Sequence, residues 1–199
     1  MYYSQHGEDS FIDNYIKENN LKIINRIVDV GAGDGTFLSN SRFFIESKRW
    51  EAYLIEGQLE QCNQMLELWK DKDMVHIMNA IVAEKVYPAH LELPHHWSLS
   101  TLKRDDKFTQ NNNLTKTLSN MFRDLKIKTC GILSVDIEGM DVKVIEEFLL
   151  HSICRPQIII IEGNTIEERI KEKSVIEKEG YKLINTLNVN QIFIKKELC

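Results

Sequence analysis

Three glycines alternate in Val28-Asp29-Val30-Gly31-Ala32-Gly33-Asp34-Gly35, directly after an apolar run. Glycine lets a chain turn tightly and bring its backbone against a ligand. Gly31, Ala32, Gly33 and Gly35 are therefore candidate ligand contacts, with Asp29 as the carboxylate at the loop's base. The pattern is not the dinucleotide fingerprint G-x-G-x-x-G, because the third glycine comes one position early and Thr36 stands in its place; no Gly-Lys-Ser/Thr follows, which excludes a Walker loop. Glu56 closes a second apolar run, Tyr53-Leu54-Ile55-Glu56-Gly57, where a carboxylate can accept hydrogen bonds from both hydroxyls of a ribose. Taken alone it reads as a solvated acid at a strand end; after the glycine loop the ribose role is favoured. Asp136 and Glu138 leave a third such run two residues apart, on one side of the chain while the strand persists. Paired carboxylates raise at least one pKa, which suits a general base. Glu162 and Asn164 arrive at the end of the neighbouring run and make the cluster oxygen-rich. His6, and His95-His96 beside Trp97, supply a second kind of base candidate, although adjacent loop histidines are as readily explained as solvated. Lys103-Arg104 could meet an acceptor anion or simply be solvated.

These residues need elements to position them. The chain has 199 residues, 43% hydrophobic and 28% charged, with a formal charge of -5. That is enough for one core and argues against disorder and against a polyanion binder. Four separated cysteines give no zinc spacing. The opening Met1-Tyr2-Tyr3-Ser4-Gln5-His6 lacks the basic start and apolar core of an export signal, and no run approaches a membrane span, so a cytoplasmic protein without a membrane span is expected. The spacing predicts a helix over Asp9–Asn19 and strands at Arg26–Gly31, Glu51–Glu56, Val75–Ala83, Gly131–Asp136 and Gln157–Glu162. Helices are expected near Ser39–Ser47, Leu59–Trp69, Asp141–Leu150 and Ile166–Glu179, and a closing antiparallel pair at Tyr181–Leu187 and Gln191–Lys196. Such alternation, with near-continuous apolar strands, predicts an α/β fold with a mostly parallel sheet covered on both faces. Residues 84–128 fit the alternation poorly and are expected to be a lid or acceptor-specificity segment with one helix near Leu114–Leu125.

The form D-x-G-x-G-x-G resembles motif I of S-adenosylmethionine (SAM) methyltransferases, and the terminal hairpin resembles their class I Rossmann-like fold, a seven-stranded, mostly parallel sheet with a C-terminal antiparallel hairpin. Ser4-Gln5-His6-Gly7-Glu8-Asp9, Asp29–Gly35, Ser39-Asn40-Ser41, Trp50, Glu56, Val135-Asp136-Ile137-Glu138-Gly139-Met140-Asp141 and Ile161-Glu162-Gly163-Asn164 together resemble the FkbM-type methyltransferases, in order and spacing, from Ser4 to about Asn164. The resemblance implies a single methyltransferase domain over 1–199, with residues 1–20 as an N-terminal helix and cofactor-closing segment. It implies O-methylation of a sugar, glycan or other small molecule, with SAM held by Gln5, Asp29, Gly31, Ala32, Gly33, Gly35, Ser39, Asn40, Glu56, Gly57, Asn79, Ala80 and Asp136. Asp136, Glu138, His6 and His96 are the candidate catalytic groups. Two departures stand out: the loop reads Gly-Ala-Gly-Asp-Gly, and Gly57-Gln58 follows Glu56 where proline is common.

Asp136, Glu162 and Asn164 also resemble the acid–acid–Asn set of catechol-type methyltransferases, which implies Mg²⁺ as an alternative to a protein base. Asp141 is expected to cap the helix it begins. Methylation of nucleic acid or protein is a competing reading. It is disfavoured by the absence of Pro-Pro after Asp136 and by the acidic balance, so no nucleic-acid partner is expected. A non-catalytic SAM-binding module is a third.

Overall fold

Short runs of β-branched residues become the centre of the molecule because both of their faces are covered. A computed structural model describes residues 1–92, 101–105 and 113–199. Its strands are β1 (Arg26–Val30), β2 (Glu51–Glu56), β3 (Val75–Asn79), β4 (Pro88–Glu92), β5 (Thr101–Arg104), β6 (Asn113–Leu114), β7 (Ile132–Val135), β8 (Ile158–Glu162), β9 (Tyr181–Leu187) and β10 (Asn190–Lys195). The helices are α1 (Glu8–Glu18), α2 (Arg42–Glu46), α3 (Leu59–Leu68), α4 (Leu118–Asp124), α5 (Asp141–His151) and α6 (Ile166–Lys178). Seven strands form one sheet in the order β3-β2-β1-β7-β8-β10-β9. Only β10 runs against its neighbours, β8 and β9. This is the expected mostly parallel sheet with a terminal hairpin.

Two apolar layers flank it. Val28, Val30, Leu133 and Ile159 pack with Phe122 of α4, Phe148 of α5 and Ile176 of α6. Ile27, Ile132 and Ile160 pack on the other face with Ile12 of α1, Phe44 of α2 and Met65 of α3. Alternate residues of each strand feed alternate layers, so a run such as Ile158–Ile161 is apolar throughout. The helix ends follow local chemistry. Glu8 and Asp9 begin α1 and Lys17 ends it, matching the helix dipole. Thr165 and Glu168 form a capping box on α6. On α5 the buried face is Val144, Ile145, Phe148 and Leu149, with Val142 half-buried.

The structure departs from the expected elements in three places. β3 stops at Asn79, whose amide donates to the carbonyls of Glu56 and Gly57, both at 3.0 Å; Val82 then leaves the sheet to bridge Lys116. The helix expected at Ser39–Ser47 is only the short α2, because Leu38 is left-handed (φ 55°) and Ser39 Oγ caps the Arg42 amide at 3.1 Å. Residues 84–128 are more than a lid and a helix. They build a second, antiparallel sheet in the order β5-β4-β6, then α4 with Thr117 as its cap. His95, His96 and Trp97 lie outside the described residues. Among those described, no helix is long and apolar enough to cross a membrane.

One buried acid carries a stability prediction. Glu172 of α6 is fully buried and its Oε1 has no hydrogen-bond partner among the described residues. Gly163 makes room for it, since a Cβ there would lie 2.6 Å from Glu172 Oε2. Burial above all, then the charge of Asp141, pushes the carboxyl from 4.5 up to about 8. A group that holds its proton longer when folded loses folding stability as pH rises from its unfolded to its folded pKa. The protein is therefore expected to be less stable at pH 9 than at pH 5. Glu172→Gln should recover on the order of 1–4 kcal/mol at pH 9 and change little at pH 5, as thermal denaturation at the two pH values would show.

Candidate active site

The C-terminal ends of β1, β2, β7 and β8 open into a cavity of about 490 Å³, where parallel α/β sheets bind ligands. The glycine loop forms its floor. Gly31 is left-handed (φ 83°), and a Cβ on it would lie 1.7 Å from the Asp136 carbonyl oxygen, so only glycine lets the ends of β1 and β7 come together. The amides of Gly31 and Ala32 both donate to the Ile55 carbonyl, at 2.9 and 3.2 Å. The Gly33 amide donates to Glu56 Oε2 at 3.0 Å, and the Gln58 amide to Oε1 at 2.8 Å. The loop is thus tied to the end of β2, and Glu56 is held in the cavity wall. Burial raises the Glu56 pKa, opposed by these amides.

Asp29 lies in the same wall, 3% exposed and without a cation among its partners. Burial raises its pKa, opposed by hydrogen bonds from Ser41 and Ser134. Asn40 faces the cavity and donates to Ser134 Oγ at 3.1 Å, with Ser39 beside it. Gly57 and Ala80 also line the space. Two expected contacts are placed elsewhere. Gly35 packs against Met65 and Trp69. Asn79 is the bracket that ties β3 to Glu56 and Gly57, not a cavity group.

Asp136, Glu138 and Glu162 converge, with one oxygen of each within 4.8 Å of the others. Strand geometry does not bring Asp136 and Glu138 together, because β7 ends at Val135. A strained loop does: Glu138 (φ 51°) and Gly139 (φ 83°) are both left-handed. Asp141 holds that loop by accepting from the amides of Ile137 (2.9 Å) and Gly139 (3.1 Å), so it anchors the loop as well as starting α5. Its pKa is raised to about 7, mainly by burial. Burial, then the charges of Glu162 and Asp141, pushes Asp136 well above the usual carboxylate range, and Asp136 hydrogen-bonds Glu162. Asn164 donates to Glu162 Oε2 at 2.9 Å, so Glu138 is the third acid of the cluster and Asn164 braces it.

The N-terminal residues complete the wall. Gln5 and His6 line the cavity beside Asn188 and Asn190 of the β9–β10 turn. Buried Glu8 ties the two together, accepting from Asn190 Nδ2 at 2.7 Å and from the His6 amide at 3.0 Å. His6 Nε2 lies 3.0 Å from Asn188 Nδ2, so this ring nitrogen is already engaged and the carboxylates are the freer base. His96 lies outside the described residues.

An apolar wall of Ile81, Val82, Leu91 and Leu102 comes from the segment after β3 and the small sheet. Their signal was faint: His90-Leu91-Glu92 and Thr101-Leu102-Lys103 alternate as half-buried strands do. Lys103 pairs with Glu92 at 3.4 Å and Arg104 stacks on Tyr87 at 5.1 Å. Burial pushes the Cys62 and Cys154 thiols up to about 11, which leaves neither a nucleophile.

The sequence profile of the methyltransferase FkbM domain matches residues 29–190. No curated protein matches the chain. Three solved structures share its fold at low identity. A Staphylococcus aureus chain provisionally named a caffeoyl-CoA O-methyltransferase superposes with a TM-score of 0.53 at 15% identity, covering 98% of this chain and 85% of that one. The fibrillarin pre-rRNA processing protein of Methanococcus jannaschii gives 0.53 at 12%, covering 96% and 76%. The precorrin-6y C5,15-methyltransferase of Geobacter metallireducens gives 0.51 at 11%, covering 91% and 84%.

Proposed function

The chain belongs to the FkbM methyltransferase family, a SAM-dependent class, and from that premise we propose that its cavity methylates a hydroxyl of a sugar, glycan or other small molecule. The observation that carries the reading is the carboxylate cluster of Asp136, Glu138 and Glu162 in the same cavity as Glu56 and the glycine loop.

The wall fits the cofactor. Glu56 presents its carboxylate to the cavity, where it can accept from ribose hydroxyls, and Asp29 is a buried acid suited to a cationic amino group or sulfonium. The apolar side chains Ile81, Val82 and Leu91 line the same cavity and offer a slot for a flat base. When bound, SAM supplies the methyl group: its carbon–sulfur bond breaks with the electron pair going to sulfur as the acceptor oxygen bonds the carbon. The chain's own work is to align the acceptor oxygen and take its proton. Asp136, beside Glu162 and with its pKa raised chiefly by burial, is the acid placed to receive it. Glu138, held across from them by the Asp141-braced loop, orients the hydroxyl. Gln5 and His6 close the space against water. Calorimetry with SAM, followed by label transfer from radioactive SAM to hydroxyl compounds, tests the reading; no binding at millimolar SAM would end it.

A second reading is favoured by the spacing of the cluster. Oxygens that share one hard divalent cation lie up to twice the metal–oxygen distance apart, roughly 4–5 Å for Mg²⁺ or Ca²⁺. The three carboxylate oxygens fall within 4.8 Å. A cation there would acidify the acceptor hydroxyl directly. If it operates, EDTA should lower turnover at least tenfold and Mg²⁺ should restore it; unchanged turnover in EDTA leaves the carboxylate base alone.

A further inference from the structure

The charge on the cavity wall is one-sided among the described residues. Five carboxylates face the space, Asp29, Glu56, Asp136, Glu138 and Glu162, while no lysine or arginine does among the described residues. The nearest basic pair is spent elsewhere, Lys103 on Glu92 and Arg104 on Tyr87. Residues 93–100 and 106–112 hold one lysine, Lys107, and one aspartate, Asp106, besides two histidines, so their formal charge does not redress the balance. The remaining polar wall is mostly amide, Gln5, Asn40, Gln58, Asn164, Asn188 and Asn190, with Ser39 and with His6, whose Nε2 is engaged by Asn188. An amide both donates and accepts, which matches a hydroxyl, whereas an anion needs donors or positive charge. A phosphate or carboxylate placed here would meet negative charge at short range in a partly desolvated space, where like charges repel strongly.

We propose that the acceptor is a polyhydroxylated compound with no anionic group, and that a protonated amine near the accepting hydroxyl strengthens its binding. Amino sugars and amino alcohols fit; sugar phosphates, nucleotide-linked sugars and uronic acids do not. This rests on the active-site reading above and deepens it. The transfer step is unchanged: oxygen gains the methyl group and the hydroxyl proton passes to the carboxylate pair. The ammonium takes no part in the chemistry and needs no co-reactant. It answers charge that the cofactor, with a single net positive charge, leaves on the wall.

The test pairs acceptors of one skeleton that differ only in charge: a neutral methyl glycoside, its 2-amino counterpart, its uronic acid and its 6-phosphate. Label transfer from radioactive SAM gives kcat/KM for each, and calorimetry on enzyme saturated with S-adenosylhomocysteine gives affinity without turnover. The amino compound is expected to bind at least tenfold more tightly than the neutral one, and the two anions at least tenfold more weakly. In Glu138→Gln the spread between amine and anion should narrow. Anions bound or methylated as well as the neutral compound would overturn the proposal while leaving the methyltransferase reading intact. Failure of SAM itself to bind would overturn that reading instead. If SAM binds but none of the four glycosides binds or is labelled, the polyol assignment falls.

Discussion

Glu56→Ala is expected to weaken SAM binding by roughly 10- to 100-fold, the loss that follows removal of charge-assisted hydrogen bonds worth about 1.5–3 kcal/mol. The carboxylate has two tasks. It accepts from the amides of Gly33 and Gln58, which fixes the glycine loop, and it lines the cavity where the ribose is proposed to lie. Glu56→Gln separates the tasks, because an amide keeps one acceptor oxygen but places a donor where the second hydroxyl or an amide must donate. Its affinity should fall between wild type and Glu56→Ala. Calorimetry reads the affinity and thermal denaturation checks that the loop has not simply unfolded. An alanine variant that bound SAM normally would remove Glu56 from the site.

Asp136→Asn is expected to lower kcat by roughly 10²- to 10⁴-fold, the usual worth of a positioned base, with the Kd for SAM changed less than about tenfold. The substitution preserves shape and the hydrogen bond to Glu162 but removes a proton acceptor. Because burial and the neighbouring acids raise the Asp136 pKa well above the ordinary range, wild-type turnover should rise with pH as Asp136 gives up its proton and becomes a base. That rise should be lost or displaced in Asp136→Asn. An unchanged kcat would transfer the role to Glu138, whose pKa is also raised, chiefly by burial and then by Glu162.

The fold was legible because its signals are local and repeated. Apolar runs at Ile27–Val30, Leu54–Ile55 and Ile158–Ile161 announce strands buried on both faces, and the hairpin at Tyr181–Lys195 breaks the parallel rule where the sheet does. The floor of the site was legible for the same reason: Gly31, Gly33 and Glu56 sit at the ends of those runs. What escaped was set by contacts between distant segments. Nothing near Asn79 says that its amide will bracket Glu56 and Gly57. Nothing near Gly35 says that Met65 and Trp69 will fill the space above it. Strand periodicity brought Asp136 and Glu138 together for a reason that fails at Val135; their meeting depends on left-handed Glu138 and on Asp141. The small sheet was missed because its strands are short and half-buried, with a weak apolar alternation.

The bond between Glu8 and Asn190 joins residues 182 positions apart. Closing so long a loop has a large entropic cost before any contact repays it. The sheet can form around β1, β2, β7 and β8 without it. The binding surface therefore belongs to both ends of the chain: the first helix and the final hairpin must both be in place before the wall of Gln5, His6, Asn188 and Asn190 exists. In native-state amide exchange that wall is expected to be less protected than β1 and β8.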